Sequence, residues 1–355
     1  MLKKVIRVKI YLLLLALFYL LSPSFIFGFN QSQKIAKVRQ ENKNYFSRNR
    51  FLPKDYKVKK PKKISFAKKG IRVSIYSRKF AQGDVAYVEI KKQVKNNKAE
   101  LFVEEFNFDK QKVLLTAYPW GWRGFWAIPP NLKPGWKKVK VKFFLDYKGQ
   151  SVVHWVKIFR RKFKRSKEAL DLKNYSRPEY QKNRKIRSFV KECLSKKKRV
   201  LKRKSKNFLD EVVSHPRNYH YITSPFWATR IIKQYKIKKG KRIKLKNRVK
   251  IHRGLDLRGK RGEPVYALAS GQVVLADKFY FEGNLVIVDH GNKIFSYYMH
   301  LDKILVKKGE KISGGTLLGL VGSTGRSTAP HLHVSLIVNG FQVDPLSFLS
   351  LPIKN

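Results

Sequence analysis

The sequence predicts a mainly β protein built as a β-sandwich, a basic helical connector and a C-terminal antiparallel β domain. Three observations carry this expectation. Short apolar runs bounded by turn residues recur across residues 65–160, at a spacing that suits two packed sheets. Residues 161–213 are strongly charged and lose their turn signals after Pro178. Strand-like runs return across 214–350. There, twelve glycines between Gly254 and Gly325 make up more than half of the chain's 21 and mark tight turns in an antiparallel sheet.

At the N-terminus, Lys3, Lys4, Arg7 and Lys9 precede the apolar run Ile10–Leu21, the order of a secretion signal. The uncharged stretch continues to Phe29, 20 residues from Ile10, which is about the length that spans a bilayer as a helix. Residues 1–29 therefore read either as a cleaved signal peptide or as a retained signal anchor. The basic flank places the rest of the chain outside the cytoplasm, in the periplasm or cell envelope. Residues 30–64 are polar and basic, with Pro53 and Pro61 breaking any helix, and read as a tether.

Seven apolar runs then follow: Ile71–Tyr76, Val85–Ile90, Leu101–Phe106, Val113–Ala117, Phe125–Ile128, Val139–Leu145 and Val152–Phe159. The Asn131–Trp136 turn resembles the one that introduces a late strand in immunoglobulin-like modules, so the sandwich is expected to be immunoglobulin-like. Trp120, Trp122, Phe125 and Trp126 read as a core cluster in preference to a sugar-stacking platform, because aromatics dominate small β cores. Within the connector, Tyr180–Leu209 reads as one or two basic helices without a heptad repeat. The C-terminal strand candidates are Val265–Leu268, Gly271–Ala276, Leu285–Val288, Ile294–Met299, Leu317–Val321 and His331–Val338.

Lys and Arg number 80 against 23 Asp and Glu, a net charge of +57. The excess is spread through Lys57–Lys69, Lys157–Lys167, Lys196–Lys206 and Lys233–Lys246 and forms no single stripe. It reads as a solvated lysine-rich surface that an anionic envelope would attract, and export argues against a nucleic-acid partner. Cys193 is the single cysteine, so no intramolecular disulfide forms, and it lies too far from the N-terminus for lipoprotein acylation.

Five of the eight histidines fall between His252 and His333. In His252-Arg253-Gly254-Leu255-Asp256, an imidazole and a carboxylate stand close together, and both are good zinc ligands. In His331-Leu332-His333, residues i and i+2 of a strand share a face, so both imidazoles enter one site. A catalytic zinc takes about three protein ligands and keeps one position open for water. With His300 between the two motifs, a metal site is expected here.

These residues carry a family resemblance. Ser224–Leu349 resembles the lysostaphin/LytM-type zinc metallopeptidases through Ser224-Pro225-Phe226, the His252–Asp256 motif, Gly262–Ala267 and Gly271-Gln272-Val273-Val274. It continues through Val288–Gly291, Tyr298-Met299-His300-Leu301, Gly322–Thr328, Pro330–His333 and Asp344-Pro345. The resemblance implies a compact antiparallel β domain, a duplicated hybrid motif, with one zinc ion held by His252, Asp256 and His333. It implies that His300 and His331 are catalytic without being ligands, that Tyr298 lines the site and that His290 is structural. It further implies an exported endopeptidase that hydrolyses peptide cross-links of peptidoglycan with a metal-activated water; among those bonds, the exported and tethered layout favours the diaminopimelate cross-link. The alternative is a non-catalytic peptidoglycan-binding regulator on the same fold, against which the retention of all five residues counts. Departures from the family pattern are Ala329 in place of glycine, Val334 and Ser335 in place of an aromatic and a glutamate, and a Lys/Arg-rich segment between Trp227 and His252 where a short hairpin is usual.

Overall fold

The computed structural model describes residues 60–93, 99–203, 205, 207–209, 213–217 and 221–353. The expected secretion segment and the tether up to residue 59 lie outside the described residues. Among the described residues, no helix is long and apolar enough to cross a membrane.

The N-terminal half comprises β1 (Lys62–Lys68), β2 (Ile71–Ser77), β3 (Val85–Lys92), β4 (Leu101–Phe108), β5 (Gln111–Val113), β6 (Leu115–Tyr118), β7 (Gly121–Ala127), β8 (Gly135–Leu145) and β9 (Lys148–Ile158). They form two antiparallel sheets, ordered β1-β2-β3-β7-β6 and β5-β4-β8-β9. Alternation drives their packing: in β9, Val152, Val156 and Ile158 are buried while Val153, Trp155 and Lys157 face water. The inward sets of both sheets, including Val73, Ile75, Phe106, Val141 and Val156, meet in one core with Trp126 fully enclosed. The aromatic cluster is thus largely core. The first strand begins at Lys62, ahead of the expected start, because Ile64 and Phe66 pack onto the same core.

The connector is only partly helical. It contains β10 (Arg165–Leu170), two short 3-10 turns and α1 (Arg184–Leu201), whose first turn is capped by Asn183 Oδ1 accepting from Ile186 N at 3.2 Å. β10 has no strand pattern of its own; it pairs parallel with a strand over sixty positions away. Helix α1 buries Cys193 and Val200 against the C-terminal domain.

The C-terminal half comprises β11 (Tyr221–Ser224), β12 (Thr229–Lys238), β13 (Lys241–Ile251), β14 (Leu255–Arg258), β15 (Pro264–Tyr266), β16 (Gly271–Phe279), β17 (Gly283–Asp289), β18 (Ile294–Leu301), β19 (Lys303–Ile304), β20 (Lys311–Ile312), β21 (Leu317–Leu320), β22 (His331–Val338), β23 (Phe341–Val343) and α2 (Pro345–Leu349). The main sheet runs β11-β14-β22-β18-β17-β16-β20, with β23 on β22, and β15-β21-β19 forms a small second sheet. Leu255, Leu257, Val286, Tyr298, Leu332 and Val334 lie in the core between them. The Lys/Arg-rich segment is the hairpin β12–β13, which forms a third sheet with β10.

The two halves pack directly. Val85, Tyr87 and Phe125 share a buried cluster with Leu336, Val338 and Phe348. Asp344 Oδ2 accepts from both Arg78 and Arg161 at 2.8 Å, while its Oδ1 caps α2 at Leu346 N.

Candidate metal centre

Register builds the centre. β14 runs antiparallel to β22 with Asp256 opposite His333, Leu257 opposite Leu332 and Arg258 opposite His331. Alternate residues share a face, so Asp256, His331 and His333 project to one side while Leu257 and Leu332, both fully buried, fill the core on the other. His252 follows β13, and Gly254 carries the chain from it to β14. A Cβ at Gly254 would overlap His333 Nε2, Ser335 Oγ and the Val334 carbonyl, so only glycine lets this turn lie against the His333 ring.

Three ligand atoms converge. His252 Nε2 lies 3.0 Å from both Asp256 Oδ1 and His333 Nδ1, and His333 Nδ1 lies 2.8 Å from Asp256 Oδ1. Hydrogen bonds on the outer atoms orient them. His252 Nδ1 donates to the Pro225 carbonyl at 2.9 Å. Ser335 Oγ donates to the Arg253 carbonyl at 3.0 Å and therefore receives the His333 Nε2 proton, at 2.9 Å. His252 Nε2 and His333 Nδ1 are left as lone pairs aimed at the same point as Asp256 Oδ1. The second Asp256 oxygen receives the Arg230 guanidinium, which also donates to Ser224 Oγ at 3.2 Å.

Burial opposes ionisation of Asp256, yet contact with His252 and His333 holds its carboxyl well below the usual carboxylate range. Burial pushes the His333 imidazole down to about 4, against the pull of Asp256. Two imidazole nitrogens and a carboxylate oxygen within 4.8 Å of one another suit a zinc ion, and the outer carbonyl and hydroxyl partners are those that orient such ligands.

The remaining two histidines sit beside this triad. Met299 is opposite His333 and Tyr298 is opposite Val334, so plain alternation would send His300 to the core side with Tyr298. One extra residue of β18 between the pairs Val286–Tyr298 and Asn284–Leu301 forms a bulge, with His300 at φ 64°. This bulge turns the ring to the metal side, 5.0 Å from the His331 ring and 6.0 Å from that of His333. His300 Nδ1 donates to the Thr324 carbonyl and His331 Nδ1 to the Ala329 carbonyl, each at 2.8 Å, so both keep Nε2 as an acceptor. His331 Nε2 is 3.7 Å from Asp256 Oδ1. Burial, with His331 and His333 nearby, pushes His300 down to about 3, so it is neutral at physiological pH.

Two cavities of about 650 and 410 Å³ meet at the centre, sharing Arg230, His300, Arg326 and His333, and together form a groove across the ligands. Lys250 lines it, held down to about 8 by burial and by Arg326 and Arg248.

The expectation for Tyr298 is corrected. It is fully buried in the core, its Oη accepting from Leu268 N at 2.7 Å, because its parity on β18 points it away from the groove; its neighbours Tyr297 and Met299 line the wall instead. His290 lies in the core with Nδ1 2.7 Å from the Ser270 carbonyl. Ala329 is absent from the positive-φ residues among those described, so glycine is not required there. Sequence reasoning did not find Arg230, which no local pattern distinguishes from its basic neighbours. Ser335 was recoverable: His331, His333 and Ser335 alternate on one face.

Comparison with known proteins follows the same residues. Residues 250–345 match the model described as Peptidase family M23. Peptidoglycan DD-endopeptidase ShyA of Vibrio cholerae is 48% identical over 99 residues, 28% of this chain and 23% of that protein. Lysostaphin of Staphylococcus staphylolyticus is 41% identical over 105 residues, 28% of this chain and 22% of that protein. The chain therefore spans less than a quarter of the length of these curated relatives. The solved catalytic domain of the antimicrobial peptidase lysostaphin from Staphylococcus simulans is 38% identical, covering 28% of this chain and 80% of that one, with a TM-score of 0.28.

Proposed function

We propose that this chain, which belongs to peptidase family M23 through residues 250–345, is an exported zinc-dependent endopeptidase that hydrolyses peptide cross-links of peptidoglycan. One observation carries the reading: His252 Nε2, Asp256 Oδ1 and His333 Nδ1 converge in a groove that also holds His300 and His331. The relatives named as peptidoglycan endopeptidases support the substrate class.

His252, Asp256 and His333 would hold the ion. Zinc, when bound, supplies a Lewis acid and brings the pKa of water to roughly 7. The chain's own groups do the rest. His331, tied at Nδ1, accepts a proton at Nε2 from the attacking water and returns it to the leaving amine, while His300, held neutral by burial, orients that water by accepting a hydrogen bond at Nε2. Once protonated, His331 Nε2 donates to the carbonyl oxygen as it gains charge. Arg230 keeps Asp256 oriented through its second carboxylate oxygen.

Export belongs to the same proposal, supported by the basic flank and apolar run of residues 1–29. So does an immunoglobulin-like identity for the sandwich, supported by β2, β3 and β7 in one sheet and β4, β8 and β9 in the other.

The test is digestion of purified peptidoglycan by the zinc-loaded protein, with fragments read by mass spectrometry. Wild type is expected to release fragments cut at the cross-link, diaminopimelate-linked in our reading. His331→Ala is expected to be slower by at least about 100-fold with its zinc content retained. If both are equally inert with zinc bound, the regulator reading replaces the enzyme.

A further inference from the structure

The groove carries a cluster of cations that the ligand chemistry does not use. On the hairpin, Lys250 is opposite Arg230 and Arg248 is opposite Ile232, so these side chains share one face. Arg230 is committed to Asp256. Lys250 and Arg326 line the large cavity beside His252, His300 and His333. Arg248, Lys250 and Arg326 then converge on a smaller recess of about 40 Å³, whose other walls are Leu172, Tyr175, Pro178 and Ile232 with the neutral Gln181 and Gln234. Among the described residues no carboxylate lines this recess, and neither Arg248 nor Lys250 forms an ion pair.

The chain's charge excess does not by itself explain this. Most lysines of the hairpin, such as Lys236, Lys241 and Lys244, are exposed, where water screens them. Lys250 and Arg326 are half withdrawn from water, with the exposed Arg248 at the rim beside them. Like charges gathered in a partly desolvated recess repel one another, and a bound anion relieves that repulsion. The recess has room for a carboxylate, and a guanidinium with an ammonium gives charge-assisted hydrogen bonds to one.

We propose that Arg248, Lys250 and Arg326 form an anion subsite that binds a free carboxylate of the substrate peptide and so sets which end of the peptide occupies this arm of the groove. The inference rests on the peptidase reading for the identity of its ligand. The subsite sits on the basic hairpin, the part of this chain that departs from the family pattern.

The probe is a cross-linked stem-peptide dimer prepared from peptidoglycan, alongside the same dimer with its carboxylates amidated. Binding of each to the full chain is measured by calorimetry, and hydrolysis of each by the zinc-loaded protein. Wild type is expected to bind the free-carboxylate dimer at least about tenfold more tightly than the amidated one. Lys250→Met and, separately, Arg248→Met are expected to bring that ratio close to one, with melting curves confirming that each variant is folded. A wild-type ratio near one, including undetectable binding of both dimers, or a ratio that survives in both variants overturns the subsite. If the ratio is present but zinc-loaded wild type cleaves neither dimer, the peptidase reading fails and the subsite stands.

Discussion

Gly254 is the residue with the least tolerance at the centre. Any side chain there meets His333, Ser335 and the Val334 carbonyl, which belongs to the same strand and cannot move independently. Gly254→Ala is therefore expected to weaken zinc retention by at least about tenfold while the β domain still folds, measured as zinc content after dialysis together with circular dichroism. Arg230 acts one step further out, on Asp256 Oδ2. Arg230→Met is expected to weaken zinc binding about 10- to 100-fold, read by competition with a chelator of known affinity. The glycine is legible in the sequence as part of a motif, whereas the arginine is one basic residue among many in β12 and β13. Only the folded hairpin selects it by laying it beside Asp256.

At the scale of elements, the β14–β22 register does what no single residue can. It pairs Asp256 with His333 on one face and Leu257 with Leu332 on the other. A slip by one position would exchange the two faces, sending ligands into the core. The fully buried leucine pair therefore secures the candidate metal centre from behind. Leu332→Ala is expected to cost about 2 to 5 kcal/mol in urea unfolding, with zinc bound normally below the transition. The bulge in β18 is the second such device. Periodicity alone assigns Tyr298 and His300 to one face; the extra residue separates them, leaving Tyr298 in the core and His300 in the groove. A bulge is a mismatch between two strands, so the sequence of one strand cannot announce it.

For the molecule as a whole, the junction centres on Asp344, buried between Arg78 and Arg161, with Ser347 Oγ accepting from Val85 N at 2.9 Å close by. Burial works against the ionised carboxyl, but the two guanidinium groups outweigh it and hold Asp344 at about 2. That lies below the 3.8 of an ordinary aspartate. The ionised form therefore stabilises the fold fully above about pH 4, and its contribution is lost as pH falls toward 2. Asp344→Asn is expected to be less stable at pH 7 by roughly 1 to 3 kcal/mol, because it leaves the part-buried Arg78 and Arg161 with Asp84 as their remaining counter-charge. The variant should also lose less stability than wild type on acidification from pH 4 to 2.5. Thermal melts at pH 7, 4 and 2.5 check both statements.

Short-range pattern settled a definite share of this protein. Alternation located the sandwich strands, and the two histidine motifs located residues that converge in the candidate centre, because each depends on residues a few positions apart and on the period of a strand. Other features waited for the fold. Asp344 and Arg78 are 266 positions apart; β10 is a strand only because β12 lies beside it; and Arg230, the direction of Tyr298 and the recess around Lys250 all depend on how one strand lies against another. The period of a single strand carries no record of its neighbour's register, so these were decided by tertiary packing.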